Sequence, residues 1–261
     1  MTRPSANITV KVDVTNPGQF FACCGLLELA DRLWPGAEGW FADGEFCIVC
    51  AGSVEQLLKA ITDTELEQID PNDDMASPMQ FADPFNLTLD WWTDELAKGK
   101  NLKVWAGSMR CVRIGRAMQQ AMVKVRDPKR LFDHAAVVYD PNQRNKKVEP
   151  YYFDSRRGNN AQSLDIGFAP DSLKMTAMAY PVVEFLCLVG LQRHRPAQTE
   201  HRRVFNYYSW TEPLPVDIAS AAVNGTVRTT RSQAYRFENA FRTAQKKHKS
   251  FLPATPIGVS S

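Results

Sequence analysis

The stretch "NPGQFFACCGLLELADRLW" (16–34) limits the possible folds more than any other part of the chain. It opens with helix-start chemistry: Asn16 is a good N-cap, Pro17 suits the first helical position, and Gln19 stands at the capping-box position. Its polar residues Glu28, Asp31 and Arg32 cluster on one side, and the remainder is apolar. Such a helix is stable only if buried on more than one side, against a sheet and a further element or subunit. A chain of 261 residues is long enough to build that core. The stretch is too short and too charged for a bilayer span, which needs roughly 20 apolar residues. Cys23 and Cys24 therefore read as small packing residues.

Around this helix the sequence predicts an α+β chain. "ITVKVDV" (8–14) alternates like a strand, and Asp43-Gly44 signals a hairpin turn between "EGWFADG" and "EFCIVCA". Ser53 caps a helix over 53–61, an acidic loop follows over 63–84, and "FNLTLDWW" (85–92) alternates again. The order β-α-β-β-α-loop-β predicts a ferredoxin-like, RNA-recognition-like first half over 1–100. That order does not decide function. Residues 101–261 are expected to form a basic, helix- and loop-rich elaboration packed on the first half. It holds a turn and long helix over 104–125, a loop or hairpin over 141–168 and an apolar helix over 179–196. A strand, turn and short helix over 203–223, an edge strand over 227–241 and a mobile tail from Lys246 complete it.

The net charge of +2 conceals an asymmetry. Residues 1–100 carry 6 basic and 17 acidic side chains, and residues 101–261 carry 25 and 12. Either one part faces a polyanion, or the two halves neutralise each other. There is no apolar leader segment and no bilayer-length run, and six cysteines are too few for a disulfide scaffold. A cytoplasmic protein with no membrane contact is the expectation.

Catalytic and metal signatures are weak. Cys47 and Cys50 form a C-x-x-C inside a predicted strand, which favours packing over zinc or redox chemistry. His134, His194, His201 and His248 show no metal spacing, and no nucleotide-binding loop or nucleophile elbow is present. No cofactor and no metal are expected. The basic residues are more informative. Arg110, Arg113 and Arg116 recur every three residues and could grip phosphates, or form a solvated face or ion pairs with the acidic half. Arg144, Lys146, Lys147, Arg156 and Arg157 surround Tyr151, Tyr152 and Phe153. Basic groups would neutralise phosphates while Tyr152 covers a base, with Tyr151 and Phe153 facing the core. Arg193, Arg195, Arg202 and Arg203 make a third basic patch.

Five blocks carry a resemblance: "NPGQFFACCGLLELADRLWPGAEGWF" (16–41), "VWAG" (104–107), "YYFDSRRGNNAQSLDIGFAPD" (151–171), "AYPVVEFLCLVGLQR" (179–193) and "YYSWTEPLPVDIA" (207–219). Together they resemble a small family of CRISPR-associated proteins that accompany type I-U (I-G) effector operons. The resemblance implies a non-enzymatic subunit of a Cascade-type, RNA-guided antiviral complex, with guide RNA, target DNA and other subunits as partners. A backbone-type role and a role in contacting target DNA both remain open. A metal-independent endoribonuclease that matures guide RNA, using a histidine or lysine as acid/base, and a protein-only scaffold are the alternatives.

Overall fold

Asn16 starts the central helix as its chemistry requires: its Oδ1 accepts from Gly18 N at 3.1 Å and Gln19 N at 3.4 Å. Gln19 does not close a capping box. Its Oε1 accepts from Asp13 N at 2.8 Å and ties the helix to the preceding loop. The computed structural model describes residues 4–73, 76–106, 109–157, 178–242 and 248–258.

The first elements are β1 (Ile8–Lys11), α1 (Pro17–Leu33), β2 (Glu38–Ala42), β3 (Glu45–Val49) and α2 (Val54–Asp63). Next come β4 (Leu66–Gln68), β5 (Met79–Phe81), β6 (Leu87–Leu89), α3 (Gly99–Leu102) and α4 (Cys111–Met122). A 3-10 turn (Pro128–Asp133) leads to β7 (Tyr139–Asp140) and β8 (Gln143–Lys147). The chain closes with α5 (Pro181–Arg193), β9 (Ala197–Gln198), β10 (Val204–Ser209), β11 (Leu214–Pro215), α6 (Val216–Val223), β12 (Gln233–Phe241), β13 (Lys249–Phe251) and β14 (Thr255–Ile257).

The result is a mixed α+β protein with several small antiparallel sheets. The first sheet has the order β1-β3-β2-β11, with Phe41 opposite Phe46 across the β2–β3 hairpin. Asp43 and Gly44 sit at φ 51° and 78°, the left-handed pair that a two-residue hairpin turn requires. A second sheet runs β13-β12-β10-β9, with β14 also on β12. The third is β4-β5-β6, and β7-β8 pairs with no other strand among the described residues. The strand expected to complete a four-stranded ferredoxin-like sheet, β6, pairs with β5 instead of β1. The reason is local: β4 and β5 form within the stretch read as an acidic loop, and β5 offers β6 an adjacent edge.

α1 and α5 cross at the centre of the molecule. Leu186 and Phe21 present their backbone carbonyls to Gly25 and Gly190, and a Cβ on either glycine would overlap that oxygen. Both helices are apolar almost all round and are covered by sheets and loops. Phe20 of α1 lies 4.4 Å from Tyr207 of β10 and 5.0 Å from Phe41 of β2, so the helix joins the first two sheets. Trp91 Nε1 donates to Leu188 O at 3.0 Å, and Trp210 Nε1 to Gly39 O at 2.7 Å. The acidic and basic halves thus share one apolar core.

Two expectations for the C-terminal part are corrected. β12 is interior, flanked by β10, β13 and β14. The described part of the tail is ordered: Ala254 N donates to Thr15 O at 2.7 Å and Phe251 is fully buried. Small and β-forming residues among the lysines and prolines supply just enough pairing for two short strands. No helix among the described residues is long and apolar enough to cross a membrane.

Candidate functional site

The cations that the sequence groups into three patches separate in space. On α4, Arg113 pairs with Asp140 at 2.6 Å, and Arg116 Nε donates to Leu66 O at 2.7 Å. Those two arginines tie the helix to β7 and β4, and do not form a phosphate grip. Gly115 serves close packing on Leu66 and Tyr151. Arg110 is exposed just before the helix.

Arg156 is likewise committed within the protein. Its Nε and NH2 donate to Asp154, NH2 also donates to Phe132 O at 2.6 Å, and its guanidinium lies 3.4 Å from the Tyr180 ring centre. Asp154 is fully buried and also accepts from Asn16 Nδ2 at 2.9 Å. Beside it Glu184 takes the amides of Phe153 and Asp154, each at 3.2 Å. Burial pushes the Glu184 carboxyl up to about 7. This network fixes 153–156 onto the N-terminal ends of α1 and α5. It corrects the expectation that Arg156 is a free phosphate-neutralising residue in the 141–168 loop. The rest of that expected loop, 158–168, lies outside the described residues.

Arg193 and Arg195 neutralise the acidic half. Arg193 pairs with Glu28 at 2.7 Å and also with Asp217, and Arg195 pairs with Asp94 at 3.1 Å. Three expected phosphate binders, Arg144, Lys146 and Lys147, lie on the exposed β8 strand and form no ion pair with a described residue.

The remaining cations converge at one end of the second sheet. Arg202 and Arg203 precede β10, Lys249 opens β13, and Lys103 lies on the segment running beside it, where Lys249 N donates to Val104 O at 3.1 Å. Asn239, fully buried, ties the Arg203 segment to the Lys103 segment. Its backbone N donates to Arg203 O at 2.9 Å, and its Nδ2 to Asn101 O at 2.8 Å and Lys103 O at 3.4 Å. Aromatic rings line the cluster: Lys103 Nζ is 5.2 Å from the Trp105 ring centre and the Arg203 guanidinium is 4.7 Å from that of Phe241.

Neither Lys103 nor Lys249 forms an ion pair with a described residue. Burial, followed by the nearby Arg203, Arg202 and Lys103, pushes the Lys249 amine down to about 8. Burial also lowers Lys103. Carboxylates offset part of this field: Glu238 pairs with Arg203 at 3.6 Å, Asp73 acts on Lys103, and Glu95, bound by Lys100 at 2.6 Å, also faces Arg202. Two shallow recesses of about 290 and 370 Å³ meet at Arg202. A wider groove of about 800 Å³ over 123–136 also carries Lys124, Arg126 and Arg130, but Asp127 and Asp133 share it.

Tyr152 borders the cluster, one hydrogen bond from β13, as Phe251 N donates to its carbonyl at 3.2 Å. It sits at φ 73°, costly for a bulky residue, and is sandwiched between Arg242 at 3.3 Å and Arg157 at 5.5 Å. Tyr152 is 4% exposed and Arg157 6%. The ring is therefore not open to a base, contrary to expectation; it props the two arginines. Arg157 Nε, Arg242 Nε and Arg203 Nε find no hydrogen-bond partner among the described residues.

Sequence reasoning missed Lys103, Lys249 and Arg242, because they are isolated in the chain or sit in a segment read as tail. The lysine run just before Lys249 was the available signal. His194 is fully buried, and burial pushes it down to about 4; His201 is exposed in the Arg202–Arg203 recess. All six cysteines are free, and no group of residues that could hold a metal ion occurs among the described residues. No family model, curated protein or solved structure matches the chain.

Proposed function

We propose that this chain is a non-enzymatic nucleic-acid-binding subunit that holds the phosphate backbone of RNA or DNA against Lys103, Arg202, Arg203 and Lys249. The carrying observation is a cluster of four cations in which Lys103 and Lys249 form no ion pair with a described residue, and burial followed by the neighbouring cations holds the Lys249 amine at about 8. A polyanion relieves the repulsion among these cations, and its condensed counterions are released on contact. The resemblance of five sequence blocks to type I-U CRISPR-associated proteins supports an RNA-guided effector complex as the setting. The β1-β3-β2 pairing around α1 and α2 is the part of an RNA-recognition-like arrangement that supports the same reading.

The test is a salt-titrated anisotropy measurement on single-stranded RNA and DNA. The wild type is compared with a variant carrying Lys103→Gln, Arg202→Gln, Arg203→Gln and Lys249→Gln. If four phosphates are engaged, the log–log salt slope becomes shallower by about 2.8, at roughly 0.7 per phosphate. A wild type without affinity, or a variant with unchanged affinity and slope, overturns the proposal.

His201 beside Arg202, with a lysine titrating near neutrality across the cluster, supports a second reading as a guide-RNA endoribonuclease. Cleavage of a precursor RNA that disappears in His201→Ala or Lys249→Gln favours it. Absence of cleavage by the wild type dismisses it.

A further inference from the structure

Arg157 carries a charge that no described residue balances. It is 6% exposed, its Nε has no hydrogen-bond partner, and it forms no ion pair among the described residues. A buried charge is costly unless it is paired. Its place in the fold is nonetheless fixed. Arg157 N donates to Asp154 O at 3.0 Å, and Ser155 N donates to Asn16 Oδ1 at 3.1 Å. The Asp154 carboxylate is spent on Arg156 and Asn16, and that of Glu149 takes the Tyr152 hydroxyl.

A second guanidinium shares the same support. Arg242 lies 3.3 Å and Arg157 5.5 Å from the Tyr152 ring centre, so the two are at most about 9 Å apart. Arg242 is half-buried, and its backbone N is anchored on His248 O at 2.8 Å. Its Nε also lacks a partner, and no described carboxylate pairs with it. Tyr152 holds φ 73° here, and strained backbone at a bulky residue is a mark of ligand clamps. Two guanidiniums without a counter-charge suit an anion with two charges and several acceptor oxygens, which a phosphate monoester supplies. An internal phosphodiester has one charge and carries a nucleoside on either side, which bars it from a side chain this deep. A chain-terminal phosphate enters end first. Tyr152 O accepts from Phe251 N at 3.2 Å, in the strand that Lys249 opens, so a strand bound by its end here continues onto the cation cluster.

We propose that Arg157 and Arg242 clamp the terminal phosphate monoester of a nucleic-acid strand whose backbone crosses that cluster. This deepens the proposed function and rests on it for the strand, while the end contact rests on the two arginines. The experiment measures anisotropy of the full chain with short RNA and DNA strands that bear a 5′-phosphate, a 3′-phosphate or hydroxyls at both ends. Strands phosphorylated at the recognised end bind about tenfold tighter than hydroxyl-ended ones, as a charge-assisted contact provides. Arg242→Gln and Arg157→Met each abolish that preference and keep the hydroxyl-ended affinity. Inorganic phosphate raises the melting temperature of the wild type and not that of either variant. Hydroxyl-ended strands bound as tightly as both phosphorylated kinds overturn this inference alone. An end preference that survives in both variants also overturns it. A wild type that binds no strand overturns this inference and the proposed function together.

Discussion

Gly25 and Gly190 set the distance between α1 and α5, and two opposing effects meet there. Alanine at either position gains about 1 kcal/mol of helix propensity. It also drives a methyl group into a backbone carbonyl of the facing helix, which cannot rotate away. Overpacking of this kind costs about 1–3 kcal/mol or more, so the clash wins. Gly25→Ala and Gly190→Ala should each lower the urea midpoint at unchanged slope, by a net of about 2 kcal/mol at most if the helices can part slightly. Unchanged midpoints would mean that the crossing is looser than described. Lys249 makes the opposite kind of prediction. Its folded pKa of about 8 lies below the unfolded lysine value. Between those two values the unfolded chain binds the proton and the folded chain does not, so this residue makes stability rise with pH. Lys249→Met should therefore melt no lower than wild type at pH 7 and lose the rise above pH 8. A clear drop at pH 7 would show that the amine stabilises the fold and is not strained by its neighbours.

The segment 153–156 links the start of α1 to the start of α5 through Asn16, Asp154 and Glu184. Because the folded pKa of Glu184 is raised to about 7, its protonated form favours the fold. That contribution is complete below the unfolded glutamate pKa and is lost as pH rises through about 7. Glu184→Gln should flatten this part of the stability profile, read from thermal melts between pH 4 and 8; an unaltered profile would remove Glu184 as its source. Arg156→Met should lower the melting temperature and leave single-strand affinity intact, because its charge is spent on Asp154 and Phe132 O. Local chemistry made α1, the Asp43-Gly44 turn and the Ser53 cap legible in the sequence. Each is settled within a few residues, and at Ser53 the capping box with Gln56 does close. The partner of β6 was not legible, since pairing with β5 or with β1 satisfies the same alternation. The candidate site was half legible for a related reason. Arg202 and Arg203 stand beside other arginines, whereas Lys103 and Lys249 meet only through pairing 146 residues apart in number.

Across the whole molecule the charge asymmetry splits into two parts. One part is consumed internally, as Arg193 and Arg195 reach Glu28 and Asp94 across the boundary between the halves. The other stays outward, at the Lys103–Arg202–Arg203–Lys249 cluster and on β8. Lys147 lies five steps along the chain from Tyr152 at the cluster's border, which bounds that distance at about 18 Å. One duplex of about 20 bp, at 3.4 Å per step, is long enough to touch both patches. The patches share no described hydrogen-bond or ion-pair partner, so their contributions to one long ligand should be independent. Removing both sets of cations should therefore multiply the two affinity losses on a DNA duplex. A double variant no weaker on the duplex than the worse single variant would mean that the two patches never engage the same molecule.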